Sequence, residues 1–302
     1  MTEKISFLKN GDTVAIAATA RKINPEEIQN SFKIFSSWGL KVKTGKELFL
    51  SENQFAGSDA VRTKYFQKLL DDKKVKAIFC ARGGYGTVRI IDKLNFKKFS
   101  HNPKWIVGFS DITVLHSHIQ HHFKMETIHS AMPYNMQVSM ADEESIESLR
   151  KILFGEKVNY SFESSPLNKN GNVKGKLVGG NLSVLYSLLG SDSDINTKGK
   201  ILFLEDLDEY LYHIDRMMMN LKRNGRLKKL AGLVVGAMSE MKDNTIPFGK
   251  NAYEIIAEHV KENDYPVCYG FPAGHEKRNL ALKLGAKVNL KVKKSNCELS
   301  FD

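Results

Sequence analysis

Residues 105–113 read WIVGFSDIT, and they join two different local patterns. The apolar run 105–109 is typical of a buried strand, and residues 112 to about 122 are typical of a helix. Ser110 stands where the strand pattern gives way to the helix pattern. A strand that leads directly into a helix is the repeating unit of an α/β fold.

Strand and helix patterns alternate throughout the first half of the chain. The strand patterns lie at 13–18, 40–44, 75–81 and 105–109, and the helix patterns at 25–38, 58–70, 86–94 and 112–122. This alternation predicts an α/β fold whose parallel sheet is covered by helices on both faces. Ligands of such sheets bind at the carboxyl ends of the strands.

A change in composition divides the chain. The stretch 156–172 is polar and carries Pro, Gly and Asn, which are typical of loops. We therefore predict an N-terminal α/β domain over 1–155, a linker over 156–172 and a C-terminal domain over 173–302. The C-terminal part mixes strand and helix patterns and becomes rich in strand patterns towards its end.

Charge and hydropathy exclude several classes of protein. The 302 residues include 45 Lys and Arg against 34 Asp and Glu, which gives a net charge of +11 and favours an anionic ligand. The lysines are scattered and do not alternate with aromatic residues, so no nucleic-acid partner is expected. No apolar run approaches the roughly 20 residues of a membrane span, and the N-terminus does not resemble a signal peptide.

The cysteines indicate a reducing compartment. Cys80, Cys268 and Cys297 are widely spaced and form no Cys-x-x-Cys pair. This pattern excludes a disulfide framework and a cysteine zinc site, and it predicts a cytoplasmic protein.

Ser110 has two interpretations. A serine at a strand-to-helix junction can cap the helix by accepting a backbone N–H. Alternatively, its hydroxyl is held out from the backbone, where the N–H groups of the new helix can stabilise an oxyanion. The segment differs from the Gly-x-Ser-x-Gly motif of α/β-hydrolases because Ile112 replaces the second glycine.

A glycine-rich loop follows the strand pattern at 75–81. It reads ARGGYG (81–86), which is neither Gly-x-Gly-x-x-Gly nor a P-loop. Consecutive glycines allow a tight turn and expose N–H groups to a ligand, so the loop could bind phosphate, line an oxyanion hole or simply turn the chain. In a parallel sheet it would lie at the same edge as Ser110.

The C-terminal part offers an acid and a base. Glu205 ends a strongly apolar strand pattern, and since Asp206 or Asp208 could cap the next helix, Glu205 is left as a candidate for orienting a base. His275 lies in the Gly/Pro loop GFPAGH, away from any apolar face, although a lone histidine is more often structural. Together Ser110, Glu205 and His275 could supply a nucleophile, an orienting acid and a general base.

Four further histidines crowd the helix pattern after Ser110. They are His116, His118, His121 and His122, and His118 with His122 has the i, i+4 spacing of a metal-binding pair. No glutamate lies between them, so the His-Glu-x-x-His motif is absent and a polar helix surface is the alternative. No metal site is expected.

Taken together, these segments resemble the LD-carboxypeptidase family of serine peptidases, which includes immunity-type hydrolases. The resemblance covers nearly the whole chain, and no single motif carries it alone. Its carriers are NGDTVAIAA, ARGGYG, GFSD, HSAMP (129–133), VGGNLSVL (178–185), FLEDLDEYLYHIDRMM and GFPAGH. One departure is Ala18-Thr19-Ala20, where the family usually has a Pro-Ser pair.

The resemblance implies a role for each candidate residue. Ser110 is the implied nucleophile, Glu205 the acid and His275 the general base, with the backbone N–H groups of Gly84 and Asp111 forming the oxyanion hole. It also implies an N-terminal α/β domain, a smaller β-rich C-terminal domain and a homodimer. Arg82 and Arg278 lie close to the motifs and are expected substrate contacts.

The implied reaction is hydrolysis of the L,D-amide bond before the terminal D-Ala of a murein tetrapeptide during cell-wall recycling. It needs no metal and no cofactor. Two alternatives stay open at this point. One is an immunity-type hydrolase of a peptide-nucleotide amide, and the other is a non-catalytic α/β ligand-binding protein.

Overall fold

A computed structural model describes residues 5–301 of the chain. It divides into two compact units, Met1–Lys157 with Lys277–Lys283, and Val158–Glu276 with Leu284–Asp302. Among the described residues, none of the helices combines the length and apolar character that crossing a membrane requires.

The secondary structure alternates as the sequence predicts in the first half of the chain. The strands are β1 (Thr13–Ala17), β2 (Lys41–Lys43), β3 (Val75–Cys80), β4 (Trp105–Val107), β5 (Thr127–His129), β6 (Asn159–Glu163), β7 (Gly171–Asn181), β8 (Ile201–Leu207), β9 (Gly232–Ser239), β10 (Val267–Tyr269), β11 (Leu282–Leu284), β12 (Lys287–Val292) and β13 (Asn296–Phe301). The helices are α1 (Pro25–Ser37), α2 (Asp59–Asp71), α3 (Lys97–His101), α4 (Thr113–Phe123), α5 (Glu143–Phe154), α6 (Leu182–Ser187), α7 (Leu211–Arg223) and α8 (Ala252–Val260).

The first sheet has the order β11-β5-β4-β3-β1-β2, and the strands from β5 to β2 pair in parallel. Strand β3 is almost entirely buried along VKAIFC, as expected for a strand with helices on both faces. Parallel strands end at one edge, so the loops after β1, β3 and β4 lie side by side. The predicted N-terminal α/β fold is confirmed.

The second sheet has the order β10-β9-β8-β7-β12-β13-β6. Its first four strands pair in parallel and the remaining pairs are antiparallel. Helix α7 buries Ile214, Met217, Met218 and Leu221, whose i, i+3, i+4, i+7 spacing places them on one face. Burying each such side chain contributes about 1.5–3 kcal/mol.

Two segments differ from the sequence predictions. Residues 86–94 form no α-helix but two short 3₁₀ turns, Thr87–Arg89 and Ile91–Lys93. The Thr87 N–H is held by the Asp111 carboxylate, which fixes the chain in a turn. The predicted linker 156–172 contains β6, whose alternately buried residues pair antiparallel with β13.

A short segment returns to the first unit late in the chain. Residues 277–283 belong to that unit, whereas the sequence prediction assigned everything after 172 to the C-terminal domain. Two buried serines of α5 explain the return, because Ser145 Oγ accepts from Asn279 N at 2.7 Å and Ser148 Oγ accepts from Ala281 N at 2.9 Å.

Candidate active site

Ser110 occupies a strained turn between β4 and α4. It opens the 3₁₀ turn Ser110–Ile112 and has a φ of +63°, in the left-handed region that residues other than glycine rarely adopt. Neither this turn nor α4 is capped by a side-chain hydrogen bond, so Ser110 does not cap the helix. Of the two interpretations of this serine, a hydroxyl held out from the backbone is the one that fits its conformation.

Gly108 makes room for the turn. A Cβ at this position would lie 2.9 Å from Ile112 Cγ1, which is closer than carbon atoms can pack. The buried Ile112 therefore packs directly on the Gly108 backbone. This contact explains how the turn accommodates an isoleucine where α/β-hydrolases have their second glycine.

The glycine-rich loop lies against Ser110. A Cβ on Gly83 would be 2.9 Å from the Ser110 Cβ, 3.0 Å from its Oγ and 3.5 Å from the Asp111 backbone nitrogen. The structure thus brings the ARGGYG loop, with Gly84, next to the Ser110–Asp111 peptide. Only a residue without a side chain fits at position 83.

The Asp111 side chain ties the same two segments together. Its buried carboxylate accepts the Thr87 N–H at 2.9 Å. Burial raises the pKa of Asp111, while hydrogen bonds from Thr87 and Gly86 and the charge of Arg62 oppose that rise. The turn that presents Ser110 is therefore attached to the end of the glycine-rich loop.

A buried arginine supports the loop from behind. The Arg62 guanidinium donates to the Gly86 carbonyl at 2.9 Å and to the Thr19 carbonyl, and it forms an ion pair with Asp59. Burial lowers the pKa of Arg62, and Asp59 opposes the effect. Arg62 thereby fixes the loops after β1 and β3 relative to each other.

The two arginines expected to contact substrate each have an acidic neighbour. Arg82 lies 3.5 Å from Glu27 and stacks over the Tyr134 ring at 4.1 Å. Arg278 pairs with Glu144 at 2.8 Å.

Glu205 and His275 meet in the second unit. His275 Nδ1 lies 2.7 Å from Glu205 Oε2, with Glu205 fully buried and the His275 side chain 15% exposed. The pairing of β8 with β9 is irregular between Leu204 and Asp206, a bulge of the kind that re-aims a side chain. This contact holds the imidazole by one nitrogen and sets its orientation.

Gly274 permits the approach of the histidine loop. Its φ is +128°, and a Cβ there would lie 3.0 Å from both the Cβ and the Oε2 of Glu205. A side chain at position 274 would push His275 away from its carboxylate partner.

The charges around His275 favour its protonated form. Burial lowers the pKa of His275, but the charge of Glu205, the hydrogen bond to it, and the charges of Asp206 and Glu240 together raise the pKa above its ordinary value. A histidine held by a buried carboxylate is suited to accept a proton during a reaction.

Asp206 has a structural role that differs from the one expected. It accepts hydrogen bonds from Ser183 N at 2.9 Å and from Asn181 Nδ2 at 2.8 Å, at the beginning of α6. Burial and the Glu205 charge raise the pKa of Asp206 to about 7. The expectation that Asp206 or Asp208 caps the helix after β8 is wrong, because α7 begins without a side-chain cap and Asp208 pairs with Lys242 at 2.5 Å.

The histidines of α4 pack with aromatic neighbours. The His118 and His122 rings lie 4.4 Å apart, and His118 lies 5.0 Å from the Phe96 ring. Within residues 5–301, no group of three or more His, Cys, Asp or Glu side chains is placed to hold a metal ion. His116 is fully buried, with Nε2 2.9 Å from the Gly108 carbonyl oxygen.

Sequence reasoning missed several residues that shape these two regions. Gly83 and Gly274 lie next to residues that the motifs single out. At both positions a Cβ would come too close to neighbouring atoms. Arg62 and His116 gave no recognisable signal, because one lies in an ordinary helix pattern and the other among four histidines. Only the three-dimensional contacts reveal their roles.

Comparisons with known proteins cover both units. Residues 14–130 match the family model of the LD-carboxypeptidase N-terminal domain, and residues 174–290 match that of the LD-carboxypeptidase C-terminal domain. A protein of Bacillus subtilis (strain 168) named "Probable murein peptide carboxypeptidase" is 35% identical over 94% of this chain and 90% of its own.

Two further relatives extend the comparison. The crystal structure of muramoyltetrapeptide carboxypeptidase from Oxalobacter formigenes matches with a TM-score of 0.86 and 26% identity, over 96% of this chain and 98% of that one. The microcin C7 self-immunity protein MccF of Escherichia coli is 25% identical over 87% of this chain and 84% of its own.

Proposed function

The chain belongs to the LD-carboxypeptidase family of serine peptidases, and on that premise we propose that it hydrolyses the L,D-amide bond before the terminal D-Ala of murein tetrapeptides in cell-wall recycling. The names of the Bacillus subtilis and Oxalobacter formigenes relatives support this substrate class. The observation that carries the proposal is the left-handed backbone of Ser110, which presents a hydroxyl at a strand-to-helix turn where it caps nothing.

In the proposed mechanism, Ser110, His275 and Glu205 act as a catalytic triad. His275 Nε2 removes the Ser110 proton as Oγ attacks the scissile carbonyl carbon. Glu205, bonded to Nδ1 at 2.7 Å, holds the useful tautomer and stabilises the imidazolium that forms. His275 then protonates the D-Ala nitrogen, the C–N bond breaks, and water repeats the sequence on the acyl-enzyme.

The oxyanion of the tetrahedral intermediate needs hydrogen-bond donors that are already in place. We assign this role to the backbone N–H groups of Gly84 and Asp111. The close approach of Gly83 to the Asp111 nitrogen supports the assignment, since it puts both peptides beside the attacking oxygen. Such donors contribute about 3–4 kcal/mol each to transition-state stabilisation.

Arg82 and Arg278 stay predicted substrate contacts. Each already has a carboxylate neighbour, Glu27 at 3.5 Å and Glu144 at 2.8 Å, with which a substrate carboxylate would compete. The longer Arg82–Glu27 contact makes Arg82 the easier of the two to recruit.

We further propose that the enzyme works in the cytoplasm as a homodimer. Three buried, free thiols are compatible with a reducing compartment. Light scattering of the purified protein measures the assembly directly, and a monomeric mass at micromolar concentration would refute the dimer.

The test is release of D-Ala from L-Ala-D-Glu-diamino acid-D-Ala by the wild type, by Ser110→Ala and by Ser100→Ala. Ser100 is a matched control, because its hydroxyl bonds the Lys97 carbonyl and His101 Nδ1, both within α3. We expect release by the wild type and the control and a loss of about 10⁴-fold or more in Ser110→Ala. A folded wild type that releases no D-Ala but cleaves a peptidyl-nucleotide amide would be the immunity-type hydrolase of the alternative hypothesis, and activity on neither would leave a ligand-binding protein.

A further inference from the structure

Arg21 lies beside the glycine-rich loop. It follows β1, whose carboxyl end is next to that of β3 in the sheet. The Cβ, Cδ and Cγ atoms of Arg21 lie 2.9, 3.4 and 3.7 Å from where a Cβ on Gly84 would be. Since Gly83 contacts Ser110 in the same way, Arg21, Gly84, Gly83 and Ser110 form one continuous row of contacts in the first unit.

The backbone at Arg21 is fixed. Arg21 forms an antiparallel bridge with Phe55, and the neighbouring Lys22 N–H donates to the Gln54 carbonyl at 2.9 Å. The stem of the side chain also rests on the Gly84 backbone. The fold therefore determines where the backbone of this arginine and the stem of its side chain lie.

The other arginines around this loop are already paired. Arg62 and Arg89 share Asp59, and Arg82 lies near Glu27. Arg21 is exposed, and within the described part of the chain no carboxylate lies in ion-pair distance of it. Its side chain, whose stem lies against Gly84, therefore carries a charge that it can offer to a ligand.

We propose that Arg21 binds the terminal carboxylate of the substrate, that is, the carboxylate of the D-amino acid that leaves. This inference rests on the proposed function. In the substrate only the amide nitrogen and one Cα separate that carboxylate from the scissile carbonyl, whose oxygen faces the Gly84 N–H. A guanidinium whose stem lies against Gly84 can therefore reach that carboxylate, and its planar donors match a carboxylate bidentately.

This contact would make the enzyme a carboxypeptidase. A peptide that continues beyond the D-amino acid has an amide instead of a carboxylate at this position and leaves the guanidinium without a partner. Arg21 is thus a specificity-determining residue: it selects the free carboxyl terminus and takes no part in proton transfer.

The experiment compares two substrates, the tetrapeptide with a free terminal carboxylate and the same peptide with a terminal amide. The enzymes are the wild type, Arg21→Gln, Arg21→Lys and Lys22→Gln. Lys22→Gln is the matched control, because it removes the same charge from the neighbouring exposed position. We expect Arg21→Gln to lower kcat/KM for the free acid by about 10–100-fold, the range of a charge-assisted hydrogen bond, and to change the amide by less than about 3-fold.

Each result of this comparison either supports or overturns the role of Arg21. Arg21→Lys should recover part of the free-acid rate, and Lys22→Gln should leave the acid-to-amide ratio within about 3-fold of the wild type. An equal loss on both substrates, or no loss on either, would overturn the role of Arg21 while the proposed function stands. A folded wild type that releases neither D-Ala from the free acid nor D-alanine amide from the terminal amide would overturn the proposed function and this inference with it.

Discussion

Gly83 packs against the Ser110 side chain and leaves no room for a Cβ between them. The space that a Gly83 Cβ would occupy is 2.9 Å from the Ser110 Cβ and 3.0 Å from its Oγ. This contact joins the loop after β3 to the turn after β4. It also explains why the loop needs a glycine at this position even though the Gly83 backbone is not left-handed.

Gly83→Ala should therefore damage catalysis more than folding. The new methyl group has to displace the Ser110 side chain or the Asp111 peptide, and misplacing a reacting group by a fraction of an ångström to 1 Å lowers the rate by up to roughly 10²-fold. Steady-state kinetics on the murein tetrapeptide, with thermal denaturation alongside, separates the two effects. Gly175→Ala is the control, since its nearest contact is 3.3 Å away on Ile201; equal kinetics in both variants would contradict the prediction.

Glu205→Gln should lower kcat by about 10²–10⁴-fold, because the amide can stabilise the wrong tautomer of His275 and cannot stabilise its imidazolium. The Glu205 charge also predicts in which direction the pH–rate profile moves when it is removed. In the wild type the pKa of His275 is raised, so activity should increase with pH through a midpoint above the ordinary value. Removing the Glu205 charge lowers that pKa, and the acid limb of the pH–rate profile should move to lower pH.

The control for this prediction is Glu209→Gln, which removes a carboxylate that pairs with a different histidine, His213, at 2.5 Å. It should leave both kcat and the acid limb in place. A Glu205→Gln enzyme with the wild-type acid limb would show that another group controls the pH profile.

Asp111→Ala should loosen the end of the glycine-rich loop. The Thr87 N–H, now bonded to the carboxylate at 2.9 Å, would be left without that acceptor, which costs about 1–3 kcal/mol of stability. We expect a lower melting temperature and a fall in kcat, with partial recovery of both in Asp111→Asn because one acceptor oxygen remains. If Asp111→Ala keeps the wild-type melting temperature and kcat, the hydrogen bond from Thr87 to Asp111 is unimportant.

Much of this architecture is predictable because the signals are local. The apolar run of β3 and the abrupt end of β4 predict buried parallel strands, and parallel strands bring their following loops to one edge. Glu205 stood out as a carboxylate at the end of a buried strand, and the structure finds it beside His275. Each of these inferences needs only the strand pattern and the chemistry of one residue.

What could not be predicted depends on contacts between distant residues. Segment 277–283 rejoins the first unit through two serines of α5 that look like ordinary helix residues. Asp206 caps α6, which precedes it in the chain, and not the helix that follows it. The role of Arg21 depends on which neighbouring arginines already have carboxylate partners, and a sequence does not state such pairings.

His116 should make the stability of the first unit depend on pH. It is fully buried, and burial lowers its pKa to about 4, with the Gly108 hydrogen bond only partly offsetting the effect. Between the unfolded pKa of about 6.5 and the folded value, the unfolded chain binds a proton that the folded chain does not. Stability is therefore lost as the pH falls through this window, by about 2–3 kcal/mol at pH 4.5.

His116→Gln tests this directly, because glutamine can still donate to the Gly108 carbonyl but does not titrate. At pH 7 the variant should have a lower urea midpoint than the wild type, and the difference should shrink or reverse at pH 4.5 as the wild type loses its advantage. His101→Gln is the control, since His101 is exposed and should change neither midpoint appreciably. A gap between His116→Gln and the wild type that stays constant from pH 7 to 4.5 would mean that His116 does not carry this titration. In that case the acid sensitivity of the unit would have to come from carboxylates whose pKa the folded state lowers, of which Asp59, bonded to Arg89, and Asp72, bonded to Lys43, are the first to examine.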